Sequence, residues 1–227
     1  MTSKPVVGVV IPARNGERYL AEAIESVLGQ THQALDVVVV DDASTDGTRD
    51  VARRYAPEVS CISLPRSGLG AARNAGVRAV RGEYVAFLDQ DDLWALQKLE
   101  LQLAAFVGHP APDLVFGHVS EFISPELEPK LGERLRCLVD PRPAALPGTM
   151  LAPRAALARV GPFATHWISN DFMAWLLAAR ELDLREVMVA EHVLSRRLHD
   201  SNISRSAQVT RQEYLHVLKE SLDRRRA

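Results

Sequence analysis

Three clusters in the sequence have the residue types and spacing to do chemistry. The first is Asp89-Gln90-Asp91-Asp92. Three carboxylates in four residues repel one another unless a positive charge lies between them. A divalent cation can fill that role: hard cations take carboxylate oxygens, and Mg²⁺ completes its shell with substrate phosphates. The plainer reading is a solvated acidic turn in which Asp92 caps the next helix. The second cluster is Asp41-Asp42-Ala43-Ser44-Thr45-Asp46-Gly47-Thr48. Asp41 or Asp42 could accept hydrogen bonds from a base N–H or a ribose hydroxyl, while Ser44 or Asp46 suits a helix cap. The third is Asn170-Asp171, ahead of an apolar helical stretch. It reads either as an Asn cap with an acidic first turn or as a general base held at the same helix start.

Other signals are weaker. Gly68-Leu69-Gly70-Ala71-Ala72-Arg73-Asn74-Ala75-Gly76 imitates a dinucleotide fingerprint, but Arg73 stands where the third glycine belongs, and the stretch follows the third strand, not the first. It reads better as a helix start that approaches a ligand, with Arg73 offering charge. No G-x-x-x-x-G-K-[ST] occurs, so a P-loop NTPase is unsupported. A lone histidine such as His199 is more often structural than a ligand. Trp94, Trp167 and Trp175 are candidates for a sugar pocket or for the core, with Trp94 the pocket choice.

These clusters must be positioned by the elements around them. The β-branched runs Val6–Ile11 and Val37–Val40 predict strands buried on both faces. Val59–Leu64, Tyr84–Leu88 and Leu114–Phe116 predict three more strands. Between them, helices are expected around Leu20–Leu28 (capped by Asn15 and stopped by Gly29), Thr48–Tyr55, Gly68–Val80 and Leu96–Phe106. This alternation implies a mainly parallel sheet flanked by helices. In such sheets ligands bind at the carboxyl ends of the strands, where the polar clusters fall. Residues 120–148 read as a loop-rich excursion. A short strand and helix are expected within Met150–Phe163, a helix at Asn170–Arg180, a broken strand at Val187–Leu198 and an amphipathic helix at Gln208–Arg226.

The 227 residues are 47% hydrophobic and 25% charged, ordinary values for a folded domain, which exclude disorder and fibrous repeats. A net charge of −2 gives no basic excess for nucleic acid. Cys61 and Cys137 lack metal-type spacing and imply two reduced, largely buried thiols. No apolar stretch approaches a membrane span, and the Val6–Ile11 run is short for a leader peptide. The expectation is a cytoplasmic protein. Its basic end, Arg224-Arg225-Arg226, reads as a solvated helix terminus, with a membrane-surface or partner contact as the alternative.

Taken in order, Val9-Val10-Ile11-Pro12-Ala13-Arg14-Asn15-Gly16-Glu17, Ser26-Val27-Leu28-Gly29-Gln30-Thr31, Val40–Thr48, Gly70–Gly76 and Phe87–Asp92 resemble family 2 glycosyltransferases. The resemblance extends more thinly through Gly161-Pro162-Phe163, Asn170-Asp171 and Arg197-Leu198-His199. It implies a GT-A fold, that is, a Rossmann-like mainly parallel sheet with a smaller mixed C-terminal part. One domain over 1–227 is expected, with a nucleotide-sugar-binding half at 5–110, an acceptor-side half at 111–205 and a C-terminal helix at 206–227. It further implies a nucleotide-diphosphate-sugar donor (a UDP-sugar first), a divalent cation (Mn²⁺ or Mg²⁺) and inverting transfer to an acceptor hydroxyl on a glycan, lipid-linked or peptide acceptor. Pro12, Ala13, Asn15 and Glu17 would surround the nucleoside, Asp41 or Asp42 would read the base, and Arg73 would lie near it. Asp89 and Gln90 would approach the ribose or donor sugar, Asp91 and His199 the metal, and Asp171 would be the general base. Asn170 stands where such proteins commonly carry a carboxylate. The alternatives are a silent nucleotide-sugar-binding module and, less favoured, a sugar-1-phosphate nucleotidyltransferase.

Overall fold

The valine-rich runs form the central strands of the structure, a computed structural model that describes residues 4–108, 110–125, 137–200 and 207–226, with backbone alone for 207–211. β1 (Val7–Ala13) is buried along its whole length, and β2 (Leu35–Asp42) from Val37 onward. β3 (Val59–Leu64) and β4 (Tyr84–Phe87) extend this parallel group. β5 (Leu93–Trp94), β6 (Leu114–Ile123), β7 (Arg142–Ala144), β8 (Leu151–Pro153) and β9 (Glu186–Leu198) complete a nine-stranded sheet among the described residues. Its order is β3-β2-β1-β4-β8-β6-β9-β5, with β7 on β6.

Strand direction decides where the chemistry can gather. β8 runs antiparallel to both β4 and β6, so β6 points the same way as β4. β9 is parallel to β6. The carboxyl ends of β1, β2, β4, β6 and β9 therefore share one rim. The polar clusters after β1, β2 and β4 sit on that rim, and so do Ser124 and His199.

Seven helices cover the sheet among the described residues: α1 (Leu20–Leu28), α2 (Thr48–Arg53), α3 (Leu69–Ala79), α4 (Lys98–Ala105), α5 (Arg154–Val160), α6 (Asp171–Glu181) and α7 (Ala207–Arg224). The pleat sends alternate residues to opposite layers. Val9 and Ile11 join Leu20, Ile24 and Val27 of α1 in one core. Val10, Val38 and Val40 join Ala72 and Ala75 of α3, with Phe163, Phe172 and Trp175, in the other. The small residues of α3 let it lie close to the sheet: a Cβ on Gly76 would overlap the Val10 side chain.

Several local expectations need correction. Asn15 does not cap α1; Tyr19 holds that position without a side-chain cap bond. Asn15 instead takes a positive φ of 49°, which turns the chain away from β1, and asparagine tolerates this better than most residues. Leu96 is exposed because Leu93-Trp94 pair with β9 and delay α4 to Lys98. Residues 120–148 are not all loop, since β6 runs on to Ile123 and Arg142–Ala144 pair with it. β9 is continuous, and its irregularity is a pair of register shifts against β6. Trp94 belongs to the core, with its indole N–H donated to the Gly148 carbonyl at 3.0 Å. Cys61 and Cys137 are free and half-buried, not largely buried. Among the described residues no helix is long and apolar enough to cross a membrane. Residues 126–136 and 201–205 of the expected acceptor side, and residue 206 of the expected C-terminal helix, lie outside the described residues.

Lys98 is fully buried with no carboxylate beside it. Its Nζ donates to Gln102 Oε1 at 2.6 Å and to the Met150 carbonyl at 3.3 Å, and lies 4.4 Å above the Trp94 ring. Burial pushes its pKa well below the ordinary lysine value of 10.5. The unfolded chain thus binds this proton more readily, and the folded state gains stability as pH rises toward that value.

Two outcomes follow. Gly76→Ala should lower the urea midpoint by the equivalent of about 1–3 kcal/mol through overpacking on Val10; an unchanged midpoint would contradict the close approach. The stability difference between the unaltered protein and Lys98→Met should move in favour of the unaltered protein between about pH 7 and 10. A level difference would show that Lys98 keeps its ordinary proton affinity.

Candidate active site

Hydrogen bonds to backbone knit the loops at the rim together. The Arg14 N–H donates to Gln90 Oε1 at 2.7 Å, and Gln90 Nε2 donates to the Arg14 carbonyl at 3.0 Å. That side chain thus joins the acidic loop after β4 to the turn after β1. A second set joins the β1 turn to the β2 turn. The Asn15 N–H donates to Ser44 Oγ, the Thr45 N–H to Asn15 Oδ1, the Gly16 N–H to Thr48 Oγ1 and the Gly47 N–H to Glu17. Pro12 and Ala13, at the buried end of β1, pair with Val40 and Asp41. Pro12, Ala13, Asn15, Glu17, Asp41, Asp42 and Gln90 therefore form one lip.

Asp41 and Asp42 are both buried there, with different partners. Asp41 accepts the Ser44 N–H at 3.2 Å and has Arg49 Nε at 3.6 Å. Asp42 accepts the Ser67 and Gly68 N–H groups at 2.6 and 3.0 Å. Gly68 holds a φ of 88° at the start of α3, so Asp42 fixes a turn that favours glycine. Neither expected residue holds the cap position of α2, which is Gly47; Asp46 accepts the Thr48 N–H from one residue earlier, and Ser44 is taken by Asn15.

Arg73 lies behind this lip, nearly inaccessible at 2% exposure. Its Nη1 donates to both oxygens of Asp171, at 2.7 and 2.6 Å, and its Nη2 to Asp89 Oδ1 at 3.1 Å. One guanidinium thus ties the loop after β4 to the first residue of α6. Burial alone would weaken its hold on a proton, but the Asp171 and Asp89 carboxylates outweigh that and raise its pKa above the ordinary value. Desolvation raises the Asp89 pKa; Arg73 opposes this, and Asp91 and Asp171 reinforce it. The charge of Arg73 is directed at these carboxylates. Asn170 holds the cap position of α6, but its side chain makes no cap bond to the helix.

The third group sits at the end of β9. Asp91 Oδ2 and His199 Nε2 are 2.7 Å apart. The His199 ring packs on Tyr19 at 4.9 Å, and the Tyr19 hydroxyl meets Ser124 Oγ at 3.1 Å. Arg197 donates its Nε to the Asp91 carbonyl at 3.0 Å, its Nη2 to Glu22 at 2.6 Å and its backbone N–H to Asp92 at 2.9 Å. Asp92 is therefore bound to β9 and does not cap α4, whose cap position is Gln97. Desolvation, then Asp91 and Asp89, push the Asp92 pKa well above the usual carboxylate value.

The lip, the Arg73 bridge and the Asp91–His199 pair bring most of the expected site residues to one rim. Tyr19, Ser124 and Arg197 were missed as site residues. Arg197 carried a usable signal, because it lies two residues before His199 and so on the same strand face. Tyr19 and Ser124 meet only through the fold.

The profile of glycosyl transferase family 2 matches residues 8–165; Asp171 and His199 lie beyond it. Among curated proteins, TuaG of Bacillus subtilis, named as a glycosyltransferase of teichuronic acid biosynthesis, is 42% identical over 104 residues, covering 44% of this chain and 41% of that protein. An uncharacterized glycosyltransferase of Nostoc, alr2836, is 45% identical over 104 residues, covering 44% and 32%. The matched region thus spans less than half of either relative. Among solved structures, S. aureus TarS 1-349 in complex with UDP-GlcNAc superposes with a TM-score of 0.77 at 21% identity, over 95% of this chain and 65% of that one. The mannosyltransferase PcManGT of Pyrobaculum calidifontis, in complex with GDP-Man and Mn²⁺, gives 0.70 at 22% identity, over 98% and 65%. The shared fold is the GT-A fold that the motifs implied. With this fold underneath, and a profile match that runs from β1 through the acidic loop, the chain belongs to glycosyl transferase family 2.

Proposed function

We propose that the chain transfers a sugar from a nucleotide-diphosphate-sugar donor, a UDP-sugar in the first instance, to an acceptor hydroxyl, with inversion at the anomeric carbon. The observation that carries this reading is the Arg73 bridge. It holds Asp171, a candidate base buried at the start of α6, and Asp89 of the acidic loop on one guanidinium. The complexes of TarS with UDP-GlcNAc and of PcManGT with GDP-Man support a nucleotide-sugar donor. The half spanning 5–110 holds the donor and the half spanning 111–205 receives the acceptor, a glycan, lipid-linked or peptide hydroxyl. Use of such donors fits the cytoplasmic setting expected from the sequence.

The residues divide the work. Pro12, Ala13, Asn15 and Glu17 surround the nucleoside, and Asp41 or Asp42 reads the base. Asp89 and Gln90 face the ribose or donor sugar. Asp91 and His199 would hold a divalent cation: an oxygen and a nitrogen of suitable type meet there in a 2.7 Å hydrogen bond that would give way to the ion, and the Asp91 charge also raises the proton affinity of Asp89 and Asp92 beside it. Among the described residues no group of three or more His, Cys, Asp or Glu forms a metal cluster. Two protein donors suit an ion of the Mg²⁺ or Mn²⁺ type that takes its other ligands from phosphates and water. When bound, such a cation offsets the charge that grows on the departing diphosphate.

Asp171 accepts the proton of the acceptor hydroxyl. That oxygen bonds to the anomeric carbon on the face opposite the diphosphate, and the bond from carbon to the diphosphate oxygen breaks. Arg73 Nη1, which donates to both Asp171 oxygens, fixes the position of that carboxylate at the start of α6. Asp171 is fully buried with both oxygens on Arg73. That burial favours a second reading, a module that binds nucleotide sugar without transferring it. The two differ in whether acceptor binding uncovers an Asp171 oxygen.

One experiment separates these readings, and a second tests the donor and cation site that both share. Asp171→Asn should reduce transfer by about 10²–10⁴-fold and leave donor binding near its original strength by calorimetry. Undiminished transfer would remove Asp171 from the base role, and an unaltered protein that binds donor but never releases nucleoside diphosphate would favour the silent module. In a thermal-shift screen of UDP-, GDP- and dTDP-sugars, the unaltered protein should be stabilised more with Mn²⁺ than without it. Asp91→Ala should weaken the Mn²⁺-dependent binding by at least about 10-fold; an equal response in the variant would place the cation elsewhere.

A further inference from the structure

The C-terminal helix reaches the candidate base through one carboxylate. Glu213 of α7 is nearly buried at 9% exposure. Its Oε1 accepts the Ile168 N–H at 2.6 Å. Its Oε2 accepts the Ser169 N–H at 3.1 Å, the Ser169 hydroxyl at 3.0 Å and the Asn170 side-chain amide at 3.1 Å. These donors belong to the three residues just before Asp171. Burial works against the Glu213 charge, but this set of hydrogen bonds outweighs it and holds its pKa below the ordinary glutamate value.

The rest of α7 is fixed to the same helix. Val217 is buried, and Glu181 at the far end of α6 accepts hydrogen bonds from Ser221 at 2.5 Å and Arg224 at 2.8 Å. Glu213 meets the start of α6 and Arg224 its end, so the two helices run side by side in the same direction. Their separation along α7 matches the length of α6, and both ends are tied.

We propose that Glu213 is a positioning residue for Asp171, and that Asn170 stands in place of a carboxylate because it must donate to Glu213. The proposal rests on the reading of Asp171 as the base. An Asp at 170 would set a second carboxylate against Glu213 in a nearly buried site, where like charges repel strongly. An Asn supplies the N–H donor and no charge. The Asp171 carboxylate is held by Arg73, and the backbone immediately before it is clamped by Glu213.

The test compares Glu213→Ala, Glu213→Gln, Asn170→Asp and the double variant Asn170→Asp/Glu213→Gln. UDP-glucose, UDP-GlcNAc, GDP-mannose and dTDP-glucose are each offered, and kinetics use the one from which the unaltered protein releases nucleoside diphosphate. Glu213→Ala and Asn170→Asp should each lower kcat by about 10- to 100-fold through misplacement of the base, with donor KM changed by less than about twofold. Glu213→Gln, which keeps one acceptor oxygen, should lose less. The double variant should regain activity over Asn170→Asp alone, because the new glutamine amide can donate to the new aspartate. Independently of any donor, Glu213→Ala should speed amide hydrogen exchange in the segment before Asp171 while the β1–β4 strands stay protected. Unchanged exchange there, unchanged kcat, or a double variant no better than Asn170→Asp overturns the proposal. If Asp171→Asn leaves transfer intact, it is the base assignment that fails; if Asp171→Asn abolishes transfer while Glu213→Ala is harmless, only the positioning role fails.

Discussion

A guanidinium buried between two carboxylates is the constraint on which the rim depends. Arg73 sits on α3, Asp89 on the loop after β4 and Asp171 at the first residue of α6. Arg73 and Asp171 are fully buried and neither charge is tolerable alone at that depth, while the half-exposed Asp89 adds a second carboxylate to the same guanidinium. Removal of one partner from such a group typically costs about 3–5 kcal/mol, because the remaining charge stays buried. The three elements are therefore held in register by electrostatics as well as by packing, and the site is part of the fold's stability.

The sheet makes this convergence possible. Only because β8 reverses direction between β4 and β6 do the later strands point with the first ones. With β8 parallel instead, His199 would leave its strand at the opposite edge from Asp91. The small residues of α3 matter in the same way, since Gly76 and Gly70 let the helix lie against Val10 and against the Ala164 carbonyl. Bulk at either position would lift Arg73 away from its carboxylates.

Much of the first half was legible in the sequence because its signals are local. A run such as Val37–Val40 has few ways to be buried other than as a central strand, and a carboxylate cluster placed directly after such a run must face the rim. The motif order from β1 to the acidic loop made the family readable, and the profile match takes in that region and runs on to residue 165. Asn15 was misread because a cap and a left-handed turn ask for the same residue type, and only the path of the chain distinguishes them. Leu96 was misread because a two-residue pairing with β9, a hundred residues away, overrode its helical periodicity. The role of Glu213 was not readable at all. Its partners are backbone N–H groups and an amide more than forty residues earlier, and neither composition nor spacing marks such a contact.

The Gln90 clamp also bears on how the lip can vary. Gln90 grips the peptide group of residue 14 from both sides and ignores its side chain. The Arg14 side chain is thus exposed at the mouth of the site and carries none of the mechanical load of joining the two loops. Position 14 can therefore be exchanged for residues of other size or charge while the seam between the two loops stays closed.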